Sequence, residues 1–302
     1  VTILAEPLFR RWSRFAPSLL LAVAVLLVLR VAGKSSFYAS LDFDREPTAD
    51  ISKHPEQTGI PGLTEISFHT QDGVRIAGWY VPSKNRAAVV VVHGSNADRA
   101  SMLPETRILA SGNFGVLAFD WPGSGASEGK IHWGKGERQA LAAAVDWVGS
   151  QGDVDPQRIG GLGLSLGGYM MAQVAAYDTR LRAVVLEATP PAYAEYSRWV
   201  HRHGGMLSEL PGLWTARWSG MPVDEMLPQN VVAAIAPRPL LILGGDADLV
   251  VPQFMTRELY ASAREPKTLW IVHGAGHGGY AETVPQEYGT RLVDFFARTL
   301  TN

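Results

Sequence analysis

The pentapeptide Gly163-Leu164-Ser165-Leu166-Gly167 sets a serine between two glycines, after an apolar run at Arg158 to Leu162 and before a helix-length segment. A serine hydroxyl becomes a useful nucleophile only when a base takes its proton and a third group orients that base. Two later loops carry residues of those types. Gly244-Gly245-Asp246-Ala247-Asp248 follows the apolar run Leu240 to Leu243, and Gly274-Ala275-Gly276-His277-Gly278 follows Leu269 to Val272. Both loops sit where the carboxyl ends of buried strands are expected, the usual place for sites in open α/β sheets. A serine, an aspartate and a histidine in this chain order suit acyl transfer through a covalent serine intermediate.

Each role has a competitor. With 31 glycines and 19 serines in 302 residues, chance alone supplies about 0.2 matches to Gly-x-Ser-x-Gly, and a second one does occur, Gly125-Ala126-Ser127-Glu128-Gly129. Context separates them. Ser127 lies in a glycine-rich loop seven residues after Asp120 with no helix opening behind it, so it reads as a turn serine. Asp246 competes with Asp248 for the acid, but an aspartate placed directly after a strand is naturally engaged with turn amides, which favours Asp248. His273 competes with His277 for the base. His273 sits at the strand end, while His277 lies in a glycine-rich loop free to reach Ser165, which favours His277.

A tetrahedral oxyanion needs two amide donors. The Leu166 amide, first in the helix after the turn, is one candidate. The other is expected from the loop after Ala87 to Val92, which reads His93-Gly94-Ser95-Asn96, with the Ser95 amide preferred and Asn96 the alternative. Gly94 would let that backbone approach the substrate. His93 reads as structural, and His201 and His203 as surface or insertion residues. Asp120 to Gly125 is expected to shape a tight loop beside the pocket.

These residues need a scaffold, and the pattern of the chain suggests one. Thr64 to Thr70 and Val74 to Val81 flank Gln71-Asp72-Gly73 and predict an antiparallel hairpin. Beyond it, short apolar runs at 87–92, 115–120, 158–164, 181–186, 239–243 and 268–272 predict buried parallel strands. Helices are expected at Met102 to Ala110, Gly136 to Gly149, Leu166 to Tyr177, Gln253 to Ala263 and Pro285 to Thr299. This alternation gives the fold class α/β. It is broken at about 190–236, where Trp199, Trp214 and Trp218 and several prolines suggest an inserted lid.

The N-terminus has a different character. Arg10, Arg11 and Arg14 precede an apolar stretch from Ala16 to Leu29, closed by Arg30 and Lys34, so residues 1–34 read as a membrane anchor or signal segment. An uncleaved single-pass anchor is favoured, with secretion after cleavage as the alternative. The arginine excess before the segment places the catalytic body outside the cytoplasm. Residues 35–62, polar and proline-containing, read as a linker, and 63–302 as the catalytic domain.

Composition closes off other classes. The net charge of −2 leaves no basic excess to neutralise phosphates, so nucleic acid is not an expected partner. With no cysteine, thiolate catalysis, disulfides and cysteine-ligated zinc are excluded. No sequence feature fixes an oligomeric state.

Taken together, HGSN at 93–96, DWPGSGASEG at 120–129, GLSLGG at 163–168, RPLLILGGDADLVVP at 238–252 and GAGH at 274–277 resemble the α/β-hydrolase superfamily over roughly residues 63–300. Within it the chain is similar to the Bem46-like and acyl-peptidase-related hydrolases, many of them membrane-anchored. The resemblance implies an eight-stranded, mostly parallel sheet and hydrolysis without a cofactor or metal. It implies Ser165 as nucleophile, Asp248 as acid, His277 as base, and Ser95 and Leu166 as amide donors. The expected substrate is a small-molecule or lipid-like acyl compound, cleaved as a carboxylic ester. A peptidase or amidase on the same triad and a non-catalytic membrane-bound binding protein are the alternatives.

Overall fold

The computed structural model describes residues 17–31, 33, 54–202 and 206–301. The hairpin forms as β1 (Thr64–His69) and β2 (Arg75–Val81), paired antiparallel from Thr64↔Tyr80 to His69↔Arg75. The remaining strands are β3 (Ala88–Val92), β4 (Gly115–Phe119), β5 (Ile159–Leu164), β6 (Leu181–Glu187), β7 (Leu240–Gly245) and β8 (Lys267–Val272). They make one eight-stranded sheet in the order β1-β2-β4-β3-β5-β6-β7-β8, parallel from β4 onward. Burial follows position. Every residue of β3 and β4, at the centre, is buried, whereas the edge strands β1 and β8 are partly exposed.

Helices cover both faces, because strands buried on both sides need an apolar partner on each. In chain order, α1 spans residues 17–31, followed by α2 (Leu103–Ser111), α3 (Lys135–Gly149), α4 (Leu166–Tyr177), α5 (Tyr193–His201), α6 (Met206–Trp218), α7 (Pro228–Val231), α8 (Gln253–Ser262), α9 (Tyr280–Thr283) and α10 (Pro285–Leu300). On one face Val90 and Val92 of β3 meet Leu141, Ala144 and Val148 of α3 and Met170 and Val174 of α4. On the other, Val89 and Val91 join Tyr288, Leu292, Phe296 and Leu300, a four-residue repeat that gives α10 a single buried stripe. Residues Leu166 to Ala175 of α4 are all buried, so its apolar composition on every side has a structural cause.

Two segments differ from the sequence reading. Part of the expected linker is packed: Pro55–Thr58 forms a 3₁₀ turn, Ile60 is buried, and Arg107 Nη2 donates to Thr58 O at 2.7 Å. Apolar residues inside a polar stretch carry too little local periodicity to announce that docking. The expected arginine cluster at 10–14, Lys34 and the linker residues 35–53 lie outside the described residues. The described part of α1, residues 17–31, extends for about 22 Å at 1.5 Å per residue, against a hydrocarbon thickness of about 30 Å. Among the described residues no helix is long and apolar enough to cross a membrane.

Candidate active site

At the carboxyl end of β5 the chain turns sharply into α4, and Ser165 occupies the corner with φ 55° and ψ −122°. A side chain at φ > 0 is strained, and the corner persists because its surroundings over-determine it. The Ser165 N–H donates to Glu187 O on β6 at 2.8 Å, and Ser165 O accepts from Tyr169 N at 3.0 Å, opening the helix. The flanking glycines are required sterically. A Cβ at Gly163 would stand 2.6 Å from Gly167 O, and one at Gly167 would stand 2.7 Å from Val92 O and closer still to the His93 carbonyl.

His277 and Asp248 arrive from the loops after β8 and β7. His277 Nε2 lies 3.0 Å from Ser165 Oγ, and His277 Nδ1 lies 2.8 Å from Asp248 Oδ2. The other carboxylate oxygen of Asp248 accepts from the amides of Val250 and Val251 at 2.7 and 2.8 Å. Asp248 is therefore buried with both oxygens engaged, which fixes the ring it holds. The order Ser165, His277, Asp248 is a continuous hydrogen-bonded line in which the base can take the serine proton and the acid can stabilise the resulting imidazolium.

The competing residues pair with each other instead. Asp246 accepts from His273 at 2.6 Å and from Gly274 N at 2.7 Å, and the bonding to His273 holds its carboxyl below the usual range. The His273 side chain is 98% exposed, against 25% for His277. Ser127 is equally remote from chemistry. Its hydroxyl donates to Asp120 O at 2.8 Å and accepts from Ala77 N at 2.9 Å, stitching the 120–129 loop to β2.

The two expected amide donors belong to segments next to the serine. Leu166 is the first residue of α4, where a helix leaves its N–H groups without intrahelical acceptors. Ser95 follows Gly94, and Gly94 packs directly on the nucleophile candidate, a Cβ there meeting Ser165 Cβ at 2.9 Å. His93 supports this loop from below. Wholly buried, it donates from Nδ1 to Gly94 O at 2.7 Å and accepts from Trp121 N at Nε2 at 3.3 Å, while Trp121 Nε1 donates to His93 O at 2.8 Å. Burial lowers its pKa, in keeping with a neutral, structural imidazole. Asp120, which precedes Trp121, is buried and holds the loop as well as Arg99.

Helix α5 reaches the site through Trp199, whose Nε1 donates to Leu249 O at 2.8 Å and whose ring meets Phe254 edge-on at 5.3 Å. Leu249, next to Asp248, is 75% exposed and Phe254 is exposed too, so an apolar rim adjoins the acid loop. Trp214 and Trp218 of α6 are exposed as well. Among the described residues no group of three or more histidines and carboxylates is arranged to hold a metal ion.

One cluster escapes the motif-based reading. Glu187, the last residue of β6, is buried and hydrogen-bonded to Tyr288, which also reaches buried Glu105. Its only trace in the sequence is a carboxylate at the end of the apolar run Leu181 to Leu186.

The prolyl oligopeptidase family matches residues 100–302. The uncharacterised protein YfhR of Escherichia coli is 30% identical over 245 residues, covering 78% of this chain and 81% of that protein. Among solved structures, the Pyrococcus furiosus esterase Pf2001 superposes with a TM-score of 0.69 at 22% identity, covering 85% of this chain and 98% of that one. The α/β hydrolase GrgF of Penicillium does so with a TM-score of 0.65 at 22% identity, covering 80% and 99%. At such identity these two structures speak for the fold, and the family match and the relative speak for descent. The chain belongs to the prolyl oligopeptidase family, within the α/β-hydrolase superfamily of serine hydrolases.

Proposed function

We propose that this protein cleaves a carboxylic ester, or a closely related acyl bond, with Ser165 as nucleophile, His277 as general base and Asp248 as the orienting acid. The observation that carries the reading is the unbroken line from Ser165 Oγ through both nitrogens of His277 to a fully engaged Asp248. His277 Nε2 takes the Ser165 proton as Oγ bonds to the acyl carbon. Negative charge collects on the carbonyl oxygen, facing the amides of Leu166 and Ser95. Collapse breaks the bond to the leaving oxygen, which receives the proton from His277. Water then attacks the acyl-enzyme with His277 again as base, and the acid leaves as Ser165 recovers its proton. Positioned donors of this kind contribute on the order of 10²- to 10³-fold each, and the base about 10²- to 10⁴-fold.

The esterase and hydrolase structures of like fold favour an ester, and the exposed apolar rim at Leu249 and Phe254 favours a lipid-like acyl chain. The family's description as oligopeptidases supports a second reading, a peptide amide cleaved by the same residues. A panel of aryl esters from acetyl to palmitoyl, set beside matched peptide amides, separates the two. Esters are expected to exceed amides by about 10²-fold in kcat/KM, with longer chains favoured about tenfold through apolar burial. Faster amides would replace the ester reading, and equal rates across chain length would remove the lipid-like one.

The proposal extends to attachment at a membrane through the segment containing α1, with the catalytic body outside the cytoplasm. The exposed leucines 19, 20, 26 and 29 of α1 support it. The full chain is expected to sediment with membranes and resist carbonate extraction, and the double substitution L20D/L26D to release it. Full solubility of the unaltered chain after expression would rule the attachment out.

A further inference from the structure

Behind the serine turn lies a carboxyl pair that the proposed chemistry does not use. Tyr288 Oη, on α10, stands 2.6 Å from Glu187 Oε1 and 3.2 Å from Glu105 Oε1 on α2. All three side chains are buried, and Glu187 Oε2 has no hydrogen-bond partner. Counting protons defines the state of this group. Three oxygens joined by two hydrogen bonds require two hydrogens, and the phenol supplies one, so the second belongs to a carboxyl. Burial gives the same answer, since two adjacent carboxylates without a cation cannot both ionise cheaply. Among the described residues neither glutamate forms an ion pair. The facing groups are the Tyr280 hydroxyl and Glu282 of α9 and, beyond them, Asp248, so no positive charge relieves the pair. Burial pushes Glu105 up to about 7 and Glu187 well above the ordinary range, with the charge of Glu105 adding to the latter.

The location matters as much as the proton. The backbone oxygen of Glu187 holds the Ser165 N–H, and the residue pairs with Leu164 on β5 and Leu243 on β7. Its side chain thus fastens α2 and α10 to the strand end against which the strained Ser165 corner rests.

We infer that Glu187 is a positioning residue for Ser165, held by a proton that it shares with Glu105 through Tyr288. This rests on the reading of Ser165 as nucleophile. When the last shared proton leaves, two carboxylates face each other across one phenol, repel, and draw the Glu187 backbone from the Ser165 amide. The consequence is an alkaline loss of turnover that does not originate in His277.

The test is the pH profile of kcat for an ester substrate, compared between wild type and Glu187→Gln, which keeps a hydrogen-bond donor at every pH. The acid limb is expected to stay in place. The alkaline limb moves up by about one pH unit or more in the variant, with kcat at pH 7 within about threefold of wild type. Tyr288→Phe, which breaks the bridge, lowers kcat about tenfold with KM unchanged. Infrared difference spectra add a readout independent of turnover: a protonated carboxyl band at pH 7 in wild type, weakened in Glu187→Gln to the part that Glu105 retains. The stability linkage has a definite sign. A carboxyl raised from 4.5 to about 7 favours the folded chain fully below 4.5, and this is lost as pH rises through 7. Glu105→Gln therefore gains in melting temperature on wild type between pH 5 and pH 8. Superimposable profiles for wild type and Glu187→Gln, with Ser165 still labelled by a fluorophosphonate, would overturn the inference alone. Absence of Ser165 labelling in both proteins would overturn the nucleophile reading on which it rests.

Discussion

Replacing Ser165 with alanine lowers kcat by about 10⁶-fold and abolishes labelling by a fluorophosphonate, while the fold is kept. The size follows from the two-step chemistry. Without Oγ there is no acyl-enzyme, and water must attack the bound substrate directly, helped only by the amide donors and by binding. The fold survives because alanine keeps the Cβ at the same positive φ and the backbone bonds from Ser165 N to Glu187 O and from Tyr169 N to Ser165 O are unchanged. KM is expected to move little, since Oγ contributes mainly once the acyl carbon becomes tetrahedral. Asp248→Asn costs less, about 10⁴-fold, because serine and base remain but the imidazole loses its orientation and counter-charge. His273→Ala is the control, an exposed histidine bonded to Asp246 and outside the hydrogen-bonded line, and its activity stays at the wild-type level. Initial rates and intact-mass labelling of the four proteins decide the matter. A Ser165→Ala variant retaining a tenth of wild-type turnover would remove Ser165 from the reaction.

The largest effect on stability is expected at Asp120. This carboxylate is fully buried, its Oδ1 accepts from Arg99 N at 2.8 Å, and its Oδ2 accepts from Ala126 N at 2.8 Å and pairs with the Arg99 guanidinium. Arg99, itself buried, lies over the Trp79 ring at 4.8 Å and also reaches the half-exposed Glu65 at 3.3 Å. Asp120→Ala leaves a buried guanidinium without its main counter-charge and deprives two amides of acceptors, a loss of about 3–5 kcal/mol. Urea denaturation should show this as a lower midpoint at unchanged slope. Activity should fall as well, because Trp121 next to Asp120 holds His93, and His93 supports the Gly94-Ser95 loop at the serine. A double replacement, Arg99→Met with Asp120→Leu, is expected to be less destabilising than Asp120→Ala, since it removes both charges together. A loss below about 1 kcal/mol for Asp120→Ala would show that the pair is not what holds the loop.

Several of these parts are legible in the sequence. The strand, turn and helix around Ser165 declare themselves within twenty residues, because period, glycine sterics and the helix start are all local. The choice between the two Gly-x-Ser-x-Gly segments was legible for the same reason: only Ser165 has a helix immediately behind it. The preference for Asp248 and His277 drew on loop position after a strand, and the structure brings those two to Ser165 while pairing Asp246 with His273. The eight-stranded sheet came from resemblance, since periodicity alone cannot say that β4 lies between β2 and β3.

By itself, then, the sequence determined the kinds of element, the serine corner and the chain order of Ser165, Asp248 and His277. Only the tertiary structure decided that Glu187, Tyr288 and Glu105 share one buried space across 101 and 183 residues of chain, that Asp120 meets Arg99, and that Thr58 and Ile60 pack on the body. The reason is physical. Propensity and periodicity act over a few residues, whereas the charge state of a buried carboxyl depends on desolvation and on which distant segments meet, and neither is set until the chain has folded.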